Sequence, residues 1–282
     1  MTSLFEDRFV TIDGLRLRYV EAGRGPAIVL LHGGSLGSSA DVFLRNLQPL
    51  AEAGFRAIAF DQPGFGLSDT PADHSNGYRR DSLPKFLAAL GLERPAIVAH
   101  SQAGGMAVRL ALKDPQAFSH LVILGTGSLL PPIEGAKDKA PEAQQRLERR
   151  MALKEPTRED TRKLLEANLF HHEFITDDEL ALRHKVSTGP AFAAFVARSA
   201  MADASQKKAV EETPVWRKLK EIACPLLMIS GRNDRAQAAE RASLLKSLEP
   251  TLALHIVEDC RHLVPWDAAA QFESMTIDLL RR

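Results

Sequence analysis

Two cysteines, Cys224 and Cys260, are all that 282 residues hold. So few cannot form the disulfide framework of a small secreted scaffold. Surplus charge is missing too, because 36 Lys+Arg balance 36 Asp+Glu. Phosphate binding needs clustered excess Lys and Arg, so no nucleic-acid partner is expected. Intrinsic disorder requires low hydrophobicity with high net charge, whereas 45% of this chain is hydrophobic and its net charge is zero. Apolar runs such as Ala27–Leu31 and Pro225–Ile229 are short. They fall well below the ~20 residues that span a bilayer, so no membrane partner is expected. The opening residues, MTSLFEDRFV, lack a basic stretch followed by an apolar one. No secretory leader is expected there, and a cytoplasmic location follows.

What is present is an alternation. Leu15–Val20, Ala27–Leu31, Arg56–Phe60, Pro95–Ala99, His120–Leu124, Pro225–Ser230 and Leu252–Val257 read as strands, from apolar content between turn residues. Asp41–Ala53, Asp81–Leu90, Gln102–Lys113 and Ala236–Leu248 read as helices. Strands alternating with helices predict a mostly parallel sheet covered on both faces. The alternation stops after residue 128. Residues 129–216 are charged, helical and punctuated by six prolines, with no strong strand. The expected division is a core of 1–128 and 217–282 with a helical cap, or lid, of 129–216. An insertion between late strands would sit over their carboxyl ends, where open α/β sheets bind ligands.

Four motifs carry chemistry. Ile97-Val98-Ala99-His100-Ser101-Gln102-Ala103 has the strand–turn–helix form of a nucleophile elbow. The residues two before and two after Ser101 must be small, and Ala99 and Ala103 are. A serine there faces free helix N–H groups that favour a developing negative charge. Next, Leu31-His32-Gly33-Gly34-Ser35-Leu36-Gly37 follows an apolar strand and fits neither phosphate-loop pattern. A loop of this type supplies a backbone N–H to an oxyanion hole. Gly34 is the candidate donor, with Ser35 as the neighbour it is confused with; Gln102, after Ser101, supplies the second N–H. Removing one such donor elsewhere costs about 3–4 kcal/mol of barrier. Gly33 and Ser35 are candidate substrate contacts on the same loop.

The third motif ends a late strand, Met228-Ile229-Ser230-Gly231-Arg232-Asn233-Asp234. A carboxylate at such a position can hold the tautomer of an imidazole. The fourth, Asp259-Cys260-Arg261-His262, places a base for Ser101 after the last strand. The order Ser101, Asp234, His262 is that of α/β hydrolases and differs from the orders in chymotrypsin-like and subtilisin-like proteases. Competing residues read otherwise. Asp61 stabilises its own turn, His100 packs or orients neighbouring loops, and Cys260 is a small buried hydrophobe. His171 and His172 adjoin without metal-ligand spacing. No metal and no cofactor are expected.

These motifs, taken together, resemble the α/β-hydrolase superfamily, and most of all the meta-cleavage-product hydrolases. His32-Gly33-Gly34, Asp61-Gln62-Pro63-Gly64-Phe65-Gly66-Leu67-Ser68-Asp69, Gly231-Arg232-Asn233-Asp234-Arg235 and His262 with Trp266 carry the resemblance. So do Glu155-Pro156-Thr157-Arg158-Glu159 and Ile175-Thr176-Asp177-Asp178-Glu179-Leu180 in the cap. The resemblance implies an α/β-hydrolase fold: a mostly parallel eight-stranded sheet, helices on both faces and an inserted cap. It implies a serine enzyme that splits a carbon–carbon bond in a vinylogous diketone acid from aromatic-ring cleavage. It further implies substrate contacts at Arg183 and Trp266. An arginine fork suits a carboxylate, while a helix arginine facing solvent is the alternative. The elbow reads Ala-His-Ser-Gln-Ala where the family usually has Gly-Asn-Ser-Met-Gly, and Arg261 replaces a usual Gly. The alternative substrate is a small apolar ester or a lactone, opened by the same triad. A ligand-binding protein without turnover is the second class, disfavoured by the intact Ser, Asp and His set. Phe192 and Phe195, with Phe170 and Phe174, hint at an apolar acceptor. The expected partner is a small-molecule substrate, and a homo-oligomer is compatible with the sequence.

Overall fold

The computed structural model describes residues 5–133, 151, 153–205 and 214–282. Eight strands form one sheet: β1 (Arg8–Ile12), β2 (Leu15–Ala22), β3 (Ala27–Leu31), β4 (Arg56–Phe60), β5 (Ala96–His100), β6 (Leu121–Leu124), β7 (Leu226–Gly231) and β8 (Ala253–Val257). Their order is β1-β2-β4-β3-β5-β6-β7-β8. The pairs β1–β2 and β2–β4 are antiparallel, and the rest are parallel. β1 is the strand that the sequence patterning missed. Its residues are mostly part-exposed, so no apolar run marks it.

Apolar side chains alternate between the two faces as the pleat demands. In β3, Val29 and Leu31 join one core cluster while Ile28 and Leu30 join the other. In β5, Ile97 and Ala99 face the first, and Ala96 and Val98 the second. Full burial of each Ile, Val or Leu contributes about 1.5–3 kcal/mol.

Helices cover both faces. α1 (Leu44–Glu52) packs Leu47 and Leu50 into the second cluster. α2 (Asn76–Ala89) and α3 (Gln102–Lys113) pack into the first through Phe86 and Val108. α2 begins at Asn76, five residues earlier than the expected Asp81, because Ser75 caps it by accepting from Tyr78 N at 3.1 Å.

Between β6 and β7 the described residues form α4 (Arg158–Asn168), α5 (Asp177–Lys185) and α6 (Gly189–Ser205), with no strand among them. Thr157 and Asp160 close α4 with a reciprocal capping box. Thr176 caps α5 by accepting from Glu179 N at 3.2 Å. After β7 come α7 (Ala238–Leu248), α8 (Val264–Asp267) and α9 (Ala269–Leu280).

β3 lies between β4 and β5, so the chain turns one way from β3 and later returns on its other side. That switch point opens a crevice at the carboxyl ends of β3 and β5. The Gly33-Gly34 loop and Ser101 leave the sheet there.

Candidate active site

Ser101 follows β5 directly and holds φ 56°, ψ −124°. A non-glycine residue in that region is strained by about 1–3 kcal/mol, and the surrounding bonds over-determine it. Ser101 N donates to Leu124 O at 2.8 Å, and Gly104 N donates to Ser101 O at 3.0 Å. Thr126 Oγ1 also donates to Ser101 O, at 2.8 Å. The turn lifts Oγ off the sheet edge, half-buried.

His262 Nε2 lies 2.9 Å from Ser101 Oγ. Its Nδ1 lies 3.1 Å from both carboxylate oxygens of Asp234. Arg235 Nη2 also donates to His262 Nε2, at 2.9 Å. A guanidinium only donates, so Nε2 is an acceptor and Nδ1 carries the proton toward Asp234. This is the tautomer a general base requires. Burial raises the Asp234 pKa, but the His262 ring, its hydrogen bond and Arg235 outweigh it. The carboxyl therefore stays ionised, below its usual range.

Two backbone bonds fix His262. His100 Nε2 bonds to His262 O at 2.8 Å. His262 N and Leu263 N both donate to Asn168 O at 3.1 Å, from the end of α4. Burial first, and the neighbouring His262 second, push the His100 pKa down to about 3. His100 is a neutral strut for the base, in keeping with its expected orienting role.

The glycine loop lies against this group. A Cβ on Gly33 would meet Ser101 Cβ at 3.0 Å and Oγ at 3.4 Å, so only glycine lets the loop approach so closely. A Cβ on Gly34 would meet the Gln102 side chain at 2.1 Å. Gln102 opens α3, so its N–H has no partner within the helix. Ser35 accepts from Arg183 Nη2 at 3.2 Å. A side-chain relay holds the loop from behind. Arg79 donates to Gln102 Oε1 at 2.6 Å and to Gln62 Oε1 at 2.9 Å. Gln62 in turn donates from Nε2 to His32 O at 2.6 Å and from its backbone N to His32 Nε2 at 3.0 Å.

Ser101, His262, Asp234, Gly33, Gly34, Gln102, Ser35 and Arg183 thus converge. Trp266, the other expected substrate contact, lies apart from them. Its indole N–H donates to Val42 O at 2.9 Å and its ring lies under Arg45 at 4.2 Å, inside the core. The short α8 starts only at Val264, and it places Trp266 against Arg45 of α1. Phe170 is exposed and Phe174 packs on Arg45, whereas Phe195 and Phe192 join Leu36, Met151 and Leu164 in a small apolar cluster. Asp61 is the buried clamp of its own turn, accepting from Ala40 N at 2.6 Å and Leu67 N at 2.7 Å.

Sequence reasoning missed Arg235 and Arg79 as parts of the site. Arg235 had a signal, adjacency to the acid. Arg79 had none, lying in a helix beside another arginine. Among the described residues no group of three His, Cys, Asp or Glu could hold a metal, and no helix is long and apolar enough to cross a membrane.

Residues 26–269 match the family model of the alpha/beta hydrolase fold. A 2-hydroxy-6-oxo-6-phenylhexa-2,4-dienoate hydrolase of Comamonas testosteroni is 30% identical, over 94% of this chain and 91% of its own. A 2-hydroxy-6-oxononadienedioate/2-hydroxy-6-oxononatrienedioate hydrolase of Paraburkholderia xenovorans is 32% identical, over 99% of this chain and 97% of its own. Among solved structures, 2-hydroxy-6-oxo-6-phenylhexa-2,4-dienoate hydrolase from Rhodococcus sp. superposes with a TM-score of 0.80 at 21% identity, covering 99% of each chain.

Proposed function

The chain belongs to the α/β-hydrolase family, and from that premise we propose that Ser101, His262 and Asp234 form the triad of a carbon–carbon bond hydrolase. The substrate is a vinylogous diketone acid of the kind that aromatic-ring meta-cleavage produces. The observation that carries this reading is the continuous chain from Ser101 Oγ through His262 to Asp234, closed at 2.9 and 3.1 Å beside the glycine loop. The kinship with dienoate and dienedioate hydrolases supports the bond type.

Each residue has a role. Ser101 Oγ attacks the carbonyl carbon while its proton passes to His262 Nε2. Asp234 holds the imidazolium that forms. The N–H groups of Gly34 and Gln102 receive the oxyanion. Collapse breaks the carbon–carbon bond. Its electron pair moves into the conjugated acid, which takes the proton from His262. Water, deprotonated by His262, then releases the acyl group from Ser101. Arg183 receives the substrate's carboxylate. The core of 1–128 and 217–282 carries the chemistry, and the described residues of the 129–216 cap lie beside it; residues 134–150, 152 and 206–213 of that cap lie outside the described residues. The contacts of Arg183 with Ser35 and of Asn168 with His262 support that division.

An ester or lactone would use the same triad, and the apolar cluster of Leu36, Leu164 and Phe195 is the feature that favours one. The test is direct. Purified protein decolourises a yellow dienoate faster than it releases nitrophenol from a short ester, and a fluorophosphonate labels Ser101. Rapid ester turnover with an unchanged dienoate gives the reaction to the ester reading. No labelling, with neither substrate consumed, ends the hydrolytic reading.

A further inference from the structure

Three guanidiniums, two buried and one half-buried, lie on and near the glycine loop, from three different helices. Arg183 of α5 reaches Ser35. Arg79 of α2 lies beneath Gly34, with Nη1 3.6 Å from where a Cβ there would sit. Arg198 of α6 reaches the carbonyl of Gly64, in the turn after β4. Each keeps a buried Nε with no hydrogen-bond partner among the described residues. No carboxylate among the described residues is within ion-pair distance of any of the three. Asp41, the acid that Arg183 feels, is committed to Arg18 at 2.8 Å.

Arg79 and Arg198 form a pair. Both guanidiniums pack on the ring of Phe65, at 4.4 and 3.6 Å from its centroid. Arg198 lies close enough to disfavour the charge on Arg79. Burial, and for Arg79 the charge of Arg198, lower both to about 9. A third cationic neighbour, Arg183, acts with them on the His32 ring. Like charges in a low-dielectric setting repel, and a buried cation without an anion is unfavourable. The neutral oxygens of Gln62, Gln102 and Gly64 orient these groups without supplying a counter-charge.

We propose that Arg198, backed by Arg79 across the Phe65 ring, is a second anion subsite, so that the substrate carries two carboxylates, one on Arg183 and one on Arg198. This rests on reading the crevice at Ser101 as the substrate pocket. Arg198 is the contact, because it is the less buried member of the pair, and its buried Nε has no hydrogen-bond partner among the described residues. Arg79 keeps both Nη groups on glutamine oxygens and contributes charge from below. Occupation by a carboxylate satisfies Nε, neutralises the repulsion between the two arginines and adds a charge-assisted hydrogen bond. A distal phenyl or alkyl group would leave all three demands unmet. The chain's zero net charge gives it no long-range field to gather anions, so two local cations are what would select a diacid.

Calorimetry on the intact protein tests this without turnover. Glutarate, adipate and pimelate are compared with pentanoate, hexanoate and heptanoate. The best diacid binds wild-type protein at least about tenfold tighter than the monoacid of equal length. Arg198→Gln removes that preference while leaving monoacid binding unchanged, and Arg198→Lys restores part of it. Arg183→Gln weakens both series. Equal binding of the two series, binding by neither, or a preference that survives Arg198→Gln overturns the subsite. If the diacid preference holds while dienoates are left unconsumed, the carbon–carbon reading fails and the subsite stands.

Discussion

At the carboxyl edge of the sheet the buried polar groups satisfy one another. Ser101 meets His262, His262 meets Asp234, and His100 holds the His262 carbonyl. In the helices above, Arg183 and Arg198 each keep a buried Nε without a partner among the described residues. An unmet buried donor costs about 1–3 kcal/mol. The first region is pre-organised before any ligand arrives, which is where catalysis gains most. In the proposed reading, the second is completed by the acid it binds. Reaction and recognition are then separable, and substitutions in each should give different kinetic signatures.

The largest effects belong to the sheet edge. Ser101→Ala lowers kcat by about 10⁶-fold, by analogy with removal of such a nucleophile elsewhere. Asp234→Asn lowers it by about 10⁴-fold, because the amide no longer fixes the Nδ1–H tautomer. In both, the affinity for a non-reacting acid measured by calorimetry stays within about twofold, which is roughly 0.4 kcal/mol. A large loss of affinity in Ser101→Ala would break the separation.

Arg183→Gln comes next and acts in the other direction. A hydrogen bond to a charged group is worth about 1.5–3 kcal/mol, so KM rises about 10- to 100-fold while kcat holds. Steady-state kinetics on an acid substrate reads both. A fall in kcat at constant KM would move Arg183 from recognition to reaction.

The same contrast governs how much could be read in the chain. Strand runs such as Ile28-Val29-Leu30-Leu31 and the elbow at Ser101 are local patterns, enforced by a pleat and by a strained turn. They were legible because each needs particular residue types at fixed spacing. β1 was lost because an edge strand with one solvated side has no apolar run. The packing of Trp266 on Arg45 was not legible, because its spacing from His262 says nothing about which way a short helix carries it. Arg79 and Arg198 lie more than a hundred residues apart and meet only on Phe65. Such a pairing is a property of tertiary packing, and no local pattern announces it.

A smaller effect tests how rigid the sheet edge is. Burial drives the His100 pKa down to about 3 and holds His32 well below its ordinary value. Unfolded, both titrate near 6.5. Their folded pKa values are depressed, so their contribution is whole above about pH 6.5 and is lost as pH falls below it. The loss is up to about 1.4 kcal/mol per pH unit for each histidine. His100→Asn should reduce this acid slope by about one proton, read by urea unfolding at about pH 6.5, 5.5 and 4.5. An unchanged slope would mean that the ring is hydrated and the edge less closed than its geometry.

Asp267 joins the two regions, and its substitution is the finest test of their independence. Its carboxylate accepts from Phe170 N at 2.9 Å and His171 N at 3.1 Å, just beyond α4. It also accepts from Arg261 N at 2.9 Å, one residue before the base. Asn168 O adds the bonds to His262 N and Leu263 N. Asn in place of Asp keeps the shape, removes the charge and turns one acceptor into a donor that faces N–H groups. Stability should fall by about 1–2 kcal/mol, seen as a lower Tm. Asn168 still holds the His262 backbone, and His100 and Asp234 still hold its other side. The kcat should therefore change by less than about threefold, or roughly 0.7 kcal/mol of barrier. A tenfold loss would mean that the end of α4 helps to aim the base, and the helical segment would then belong to the reaction as well as to recognition.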